Sequence, residues 1–318
     1  MAGWDIADCF NYHFYENSDA DGKLRYISPH EEPELFKAVI GGYGLLGVII
    51  EVELETIPNS NLKLHSKFIS PENFQETFEQ YISTRPQVEL AYGRLSITQN
   101  TLFKEIGLFW YEKEPESANR VTKSIQAETL IAFKRAIFRI SQYIDFGKKI
   151  RWFVEKFYYS KLVNLNAISR NNVMNTDIHL LWPLYGQKKD ILQEYFIPKN
   201  TAPKFLAALK KHIINFDMNI LNITIREIRK DNISLLPYTR EDMFGLVCLF
   251  SQNQSLSDET KMVRFTQSMI DDTLKLNGTF YLPYRLHYRQ DQILKAYPSL
   301  LNWIKVKEKW DKNQLFDS

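Results

Sequence analysis

Three stretches of this chain hold side chains whose types and spacing could do chemistry. In Asn222-Ile223-Thr224-Ile225-Arg226-Glu227-Ile228-Arg229, strand alternation puts Ile223, Ile225, Glu227 and Arg229 on one face. Asn222, Thr224, Arg226 and Ile228 fall on the other. An arginine can hold a substrate hydroxyl or a developing negative charge, and a neighbouring carboxylate can orient hydroxyls. The same Glu227 and Arg229 could equally pair with each other on a solvated surface. The second stretch runs from Phe280 to His287, with Tyr284 directly after Pro283. A phenol with its ordinary pKa of about 10 donates hydrogen bonds but is a poor base at neutral pH. His287 is the nearest conventional base, although a lone histidine serves as often in packing. The third stretch, Asp190 to Pro198, reads as an apolar strand carrying Gln193, Glu194 and Tyr195. Buried polar groups there need partners, and alternation gives Gln193 and Tyr195 a common face.

These residues must be held by a scaffold whose elements can be read from periodicity. Phe10 to Glu16, a turn at Asp19 to Gly22, and Lys23 to Ser28 form a hairpin pattern. Strands are expected at Leu62–Ile69, Val88–Ile97 and Leu102–Tyr111, with a helix opened by Ser70-Pro71 and running to Tyr81. Strands resume between Asp190 and Phe250 around a helix at Ala202–Asn215. A last strand at Gly278–Pro283 precedes a long helix at Asp291–Lys309. The pattern predicts an α+β protein with an antiparallel sheet and helices on one face.

Four of the chain's twelve glycines lie between Gly41 and Gly47. Gly42-Tyr43-Gly44-Leu45-Leu46-Gly47 matches G-x-G-x-x-G, but a dinucleotide fingerprint needs a strand before it and a helix after it. Here a helix with proline in its first turn, Pro33 to Val39, comes first. A strand alternating Val48, Ile50, Val52 and Leu54 follows. The glycines therefore serve either a tight turn under a helix or a flat ligand resting on bare backbone.

The string L-F-x-A-x-I-G-G-x-G-L-x-G-V-I, from Leu35 to Ile49, resembles the FAD-binding domain of vanillyl-alcohol-oxidase-type (PCMH-type) flavoproteins. Within that superfamily it is most like the aldonolactone and alditol oxidases and the decaprenylphosphoryl-ribose oxidases. Glu194 to Pro198 is similar to their E-[YW]-x-[IL]-P segment, and Glu227-Ile228-Arg229 to their E-[IV]-R segment. Phe280 to Phe316 is similar to their final segment, with Lys312 in place of a proline; Leu236-Pro237 likewise replaces Ser-Pro. The resemblance implies that Gly41, Gly42, Gly44, Gly47, Val48 and Ile49 lie beside FAD. It places the strand of Gln193 and Tyr195 over the flavin ring, and Glu227 and Arg229 in the substrate site. Tyr284 takes the position held by His or Lys in those oxidases. The implied reaction is hydride transfer from a CH–OH group of a polyol, aldonolactone or lipid-linked sugar to the flavin. The implied layout is the C-terminal part of a PCMH-type FAD domain at 1–59, a substrate cap at 60–276 and a returning segment at 277–318. The family's phosphate-cradling loop would lie before Met1, so Met1 reads as an internal methionine. A truncated non-catalytic fragment, or half of a split flavoprotein needing a complementing N-terminal chain, is the alternative expectation.

Composition narrows the classes further. Forty Lys and Arg against 38 Asp and Glu give no global signal for nucleic acid. Cys9 and Cys248 are the only two cysteines, which suits a reducing, cytoplasmic setting. The start lacks a signal-peptide pattern, and no apolar run approaches the roughly 20 residues of a membrane span. Neither H-x-x-x-H nor C-x-x-C occurs, and no metal site is expected. Residues 116–161 read as a helical excursion in which Leu130, Ile131, Phe133, Ile137, Phe138, Ile140 and Ile144 fall mostly on one face. Between Arg120 and Lys161, ten basic residues face three acidic ones, with Trp152, Phe153, Phe157, Tyr158 and Tyr159 among them. Such helices either pack on the sheet with a solvated basic face or make peripheral contact with an anionic membrane.

Overall fold

The structure is a computed structural model that describes residues 13–18, 22–115, 124–125, 131–162, 167–175 and 188–316, with the backbone alone at 13–18, 131 and 158–162. The start of the expected hairpin, its turn at 19–21, Cys9, Arg120, Lys123, Glu128 and Leu130 lie outside the described residues. In chain order the elements begin with β1 (His13–Ser18), β2 (Leu24–Ile27), α1 (Pro33–Val39), β3 (Val48–Glu53) and β4 (Asn61–Ile69). Next come α2 (Phe74–Phe78), β5 (Val88–Leu95), β6 (Ile106–Lys113), α3 (Ile131–Tyr143) and α4 (Asp145–Leu162). They are followed by β7 (Ile168–Ser169), α5 (Arg170–Met174), β8 (Lys188–Pro198), α6 (Ala202–Asn215), β9 (Ile220–Ile228) and β10 (Met243–Asn253). The chain closes with α7 (Leu256–Lys275), β11 (Thr279–Phe280), α8 (Gln290–Ala296) and α9 (Leu300–Trp310).

The fold is mixed α and β around one eight-stranded antiparallel sheet, ordered β11-β8-β10-β9-β5-β6-β4-β7. One face is apolar by alternation. Ile191, Ile197, Ile223, Ile225, Phe244 and Leu246 are buried on it against the stripes of α6 (Phe205, Leu209) and α7 (Met262, Phe265, Met269). Phe74 and Phe78 of α2 close the layer over Phe244, with ring centroids 5.1 and 5.0 Å away. Each such side chain contributes about 1.5–3 kcal/mol on burial, which makes this layer the main source of stability.

The opposite face is mixed. At its β4–β6 end Leu62, Leu64, Phe109 and Tyr111 are buried, with Val173 and Met174 at the edge of α5 packed on them. The hairpin of α3 and α4 attaches here through charged groups, so helices lie on both sides of the sheet rather than on one. The reason is that α6 and α7 turn apolar stripes to the sheet, whereas α3 and α4 turn Arg139, Arg151 and Lys156 to it. The expected common face from Leu130 to Ile144 is split in the same way: Phe138 is buried, while Phe133, Ile140 and Ile144 are exposed.

A smaller antiparallel sheet, β2-β1-β3, carries the strand that follows the glycines. The C-terminal segment returns to it. Trp303 Nε1 donates to the Ala38 carbonyl (2.9 Å), and Lys307 Nζ donates to the Leu45 carbonyl (2.8 Å). The single helix expected over Asp291–Lys309 is two, because Tyr297-Pro298-Ser299 interrupts it and proline cannot continue a helical ladder. The last strand is likewise shorter than expected, ending at Phe280 ahead of Pro283.

Candidate functional site

The centre of the mixed face holds a charge pair that spans a strand. Glu194 of β8 and Arg226 of β9 are both neighbours of β10, and their side chains meet across it in a salt bridge. Strands two apart are separated by about 10 Å of backbone, so only long side chains can meet over the intervening strand. Gly245 of β10, opposite Phe196 and Arg226, makes room for them. A Cβ at Gly245 would stand 3.4 Å from Glu194 Oε1 and 3.0 Å from Ile228 Cγ1. The Glu194 side chain is only 2% exposed and that of Arg226 24%, so the pair is largely withdrawn from water.

Tyrosines surround the pair. The Tyr284 hydroxyl hydrogen-bonds to Glu194; burial first, then the Glu194 charge, pushes its pKa well above the ordinary phenol value. Tyr284 is therefore a donor and not a base. Its ring meets that of Tyr281 edge-on at 5.3 Å, and Tyr281 meets Tyr43 edge-on at 6.2 Å. Tyr43 belongs to the glycine turn. Its hydroxyl is buried without a hydrogen-bond partner, as is the Nε of Arg226. Burial raises the Tyr43 pKa as well, so the phenol stays protonated. Each of these two groups is a buried donor without a protein partner, which is costly unless a ligand or water completes it.

The turn itself separates the two readings of its glycines. Gly42 serves packing: a Cβ there would come within 2.3 Å of the Ala38 carbonyl oxygen, the end of α1. Gly44 is different, with φ +78° and nothing within 4 Å of a Cβ position. Gly41 rests on the loop Asp231 to Pro237, with Ser234 Cβ 3.7 Å from its Cβ position. Asp231 organises that loop, accepting from the Ile233 and Ser234 amides at 2.8 and 3.0 Å. Leu236, where the resembling segment has serine, is buried in the core. Beyond Gly47, Val48 and Ile49 are exposed, as is every residue of β3. The space beside Gly44 and the exposed β3 strand are open enough for a flat group such as a flavin to lie against.

The other expected site residues lie elsewhere. Gln193 and Tyr195 do share a face, but it is the one under α6 and α7. Tyr195 Oη donates to Gln193 Oε1 (2.5 Å), and Gln193 Nε2 donates to Thr266 Oγ1 of α7 (2.6 Å). His287 joins them, with Nδ1 3.4 Å from Thr266 Oγ1 and Nε2 2.9 Å from Glu259 Oε1. The result is a buried polar chain and not a base beside Tyr284. Its Thr–His–Glu order carries no nucleophile, because Thr266 is buried and donates back to the Met262 carbonyl (2.8 Å). Burial lowers the His287 pKa, with Glu259 pulling the other way. Glu227 pairs with Lys199, and Arg229 is exposed past the end of β9.

Of the residues that do converge, Arg226 stands on the second face of its strand and Glu194 among the polar residues of the Asp190–Pro198 strand, and neither is among the site residues expected from sequence. The missing signal was Gly245: a lone glycine inside Met243-Phe244-Gly245-Leu246 marks a close approach over the strand. Among the described residues, no group of three His, Cys, Asp or Glu could hold a metal ion. No protein-family model matches the chain, and no curated protein matches it.

Proposed function

We propose that this chain supplies one wall of an FAD site and the substrate face of an oxidoreductase acting on CH–OH groups of a sugar-like polyol, aldonolactone or lipid-linked sugar. One observation carries the reading: ring contacts from Tyr43 through Tyr281 to Tyr284 join the glycine turn to the Glu194–Arg226 pair. Gly41, Gly44, Gly47, Val48 and Ile49 would border the flavin, and Gly42 keeps the turn closed beneath it. The flavin, when bound, supplies a hydride acceptor. The protein's part is positioning. Glu194 fixes Arg226 so that the exposed part of its guanidinium can face a substrate hydroxyl oxygen, where positive charge stabilises a developing alkoxide. Tyr284, held protonated and bound to Glu194, keeps that carboxylate in place and offers an aromatic edge to the substrate.

The test separates cofactor from substrate. The protein is incubated with FAD, and uptake is read by absorbance after removal of free flavin. Uptake by the wild type, its loss in Gly44→Ala, and its retention in Arg226→Met with loss of anaerobic flavin reduction by polyols and aldonolactones are expected. A wild-type chain that takes up no FAD, alone or mixed with a complementing N-terminal flavin-domain segment, overturns the reading. The second arm matters because β3 has a specific feature. It pairs with β1, yet Val48, Ile50 and Val52 on one face and Ile49 on the other are exposed, an uncovered edge strand that favours the split-flavoprotein version. Among the described residues, no helix is long and apolar enough to cross a membrane.

A further inference from the structure

The hairpin of α3 and α4 has its polarity reversed. A surface helix ordinarily buries its apolar stripe and solvates its charges. Here the charged side chains point inward. Arg139 bonds Asp190 (2.8 Å), Lys148 bonds the Asn219 side chain (2.9 Å), and Arg151 bonds the Leu221 carbonyl (2.6 Å). Lys156 and the Trp152 indole both reach Glu105, at 2.7 and 2.9 Å. The outward stripe is then Phe133 and Tyr143 on α3, and Phe146, Ile150, Phe153 and Phe157 on α4. The α4 members follow one another at spacings of four, three and four residues, a single helical face. Phe153 is 70% exposed and Phe146 65%, and Phe153 stacks on Phe157 with centroids 6.4 Å apart. The inward hydrogen bonds to three different segments prevent the hairpin from rolling its aromatics under.

An exposed aromatic stripe of this extent has an occupant. Charge identifies which. Residues 131–157 hold seven basic side chains and two acidic ones; Lys156 is committed to Glu105, but Lys149, in a surface pair with Asp145 at 3.4 Å, remains 45% exposed at the margin of the stripe. Two copies facing each other through this surface would bring two such positive margins together. An anionic lipid surface instead complements them, and Phe and Tyr side chains suit the boundary between headgroups and acyl chains. We infer that the α3–α4 hairpin docks the protein on an anionic bilayer surface, inserting Phe146, Phe153 and Phe157 while Lys149, exposed beside them, meets lipid phosphates. The protein lies on the membrane and does not span it with this hairpin, which is consistent with the lack of a crossing helix among the described residues. The inference is independent of the flavin reading.

The experiment is co-sedimentation of the full chain with vesicles of phosphatidylcholine alone and of equimolar phosphatidylcholine and phosphatidylglycerol. Pelleting with the anionic vesicles, weakened by salt, is expected. Phe146→Ser/Phe153→Ser is expected to bind about tenfold more weakly or less, with an unchanged melting temperature because both side chains are already in water. Three results overturn the inference: no binding to anionic vesicles at low salt, equal binding by the double variant, or a wild-type dimer that the double variant converts to monomer.

Discussion

Replacing Arg226 by methionine tests the central pair directly. Methionine keeps an apolar stem of similar length and removes the charge, leaving Glu194 with a side chain 2% exposed and no counter-ion. Breaking a buried pair from one side costs about 3–5 kcal/mol. Water reaches Arg226, whose side chain is 24% exposed, and Tyr284 still donates to Glu194. Both discount the cost, to about 2–3 kcal/mol. Urea unfolding at neutral pH should show that loss as a lower midpoint with an unchanged slope. Adding Glu194→Leu to Arg226→Met should recover most of the stability, since an apolar pair of similar volume replaces a buried ion pair at little net cost. The doubly changed protein would then be folded without its substrate-positioning groups. A loss below about 0.5 kcal/mol in Arg226→Met would refute the claim that the pair is desolvated.

The glycines of the turn should respond in opposite ways. Gly42→Ala drives a Cβ into the Ala38 carbonyl and should cost about 2 kcal/mol or more in thermal or urea unfolding. Gly44→Ala meets no atoms and should cost only about 1 kcal/mol, from its left-handed backbone, so its main effect is read in flavin uptake. Equal destabilisation by the two would mean that the surroundings of the turn are misassigned. The buried chain under α7 should make stability depend on pH. Burial holds the folded His287 below its unfolded value of 6.5, so the unfolded state binds the proton more readily and stability falls as pH drops through that value. Glu259 is also below its ordinary 4.5: burial would raise it, but His287, Arg285 and Gln252 outweigh that, so its contribution holds above 4.5 and is lost further into acid. Melting temperatures of His287→Gln should therefore be flatter than wild type between neutral pH and about 5; an unchanged slope would show that another group carries the upper limb.

Local order was legible wherever one element decided it. Pro33 to Val39 followed by glycines and then by Val48 to Glu53 is helix, turn and strand as the residues suggest, and the eight-stranded sheet is antiparallel as the strand pattern implies. What periodicity leaves open is which face goes inside. On β9 it separates Ile223, Ile225 and Glu227 from Thr224, Arg226 and Ile228, but both sets are largely buried. The helices α6 and α7 took the first set. Glu227, at the end of the strand, escaped to Lys199, and Arg226 was left on the side where Tyr284 lies. The same ambiguity governs α3 and α4, whose two faces are evident in sequence but whose inward face is the charged one, because the edge of the sheet offers Asp190, Asn219 and Glu105 as partners. Partners of this kind come from strands far apart in sequence, and no single-segment pattern contains them.

Gly245 shows how such a partnership can still leave a trace. Glycine is a poor strand residue, and a core strand written Met243-Phe244-Gly245-Leu246-Val247 accepts that cost only where something must cross the strand. What crosses is the meeting of Glu194 with Arg226, long side chains from β8 and β9 that have no other route to each other. The pair is therefore built by three strands and not by a motif on one. The E-x-R spacing of Glu227 and Arg229 is a local pattern on the same strand, with the parity opposite to that of Arg226. The candidate site lies one residue away from it, where the parity, the missing Cβ and the orphaned Arg226 Nε coincide.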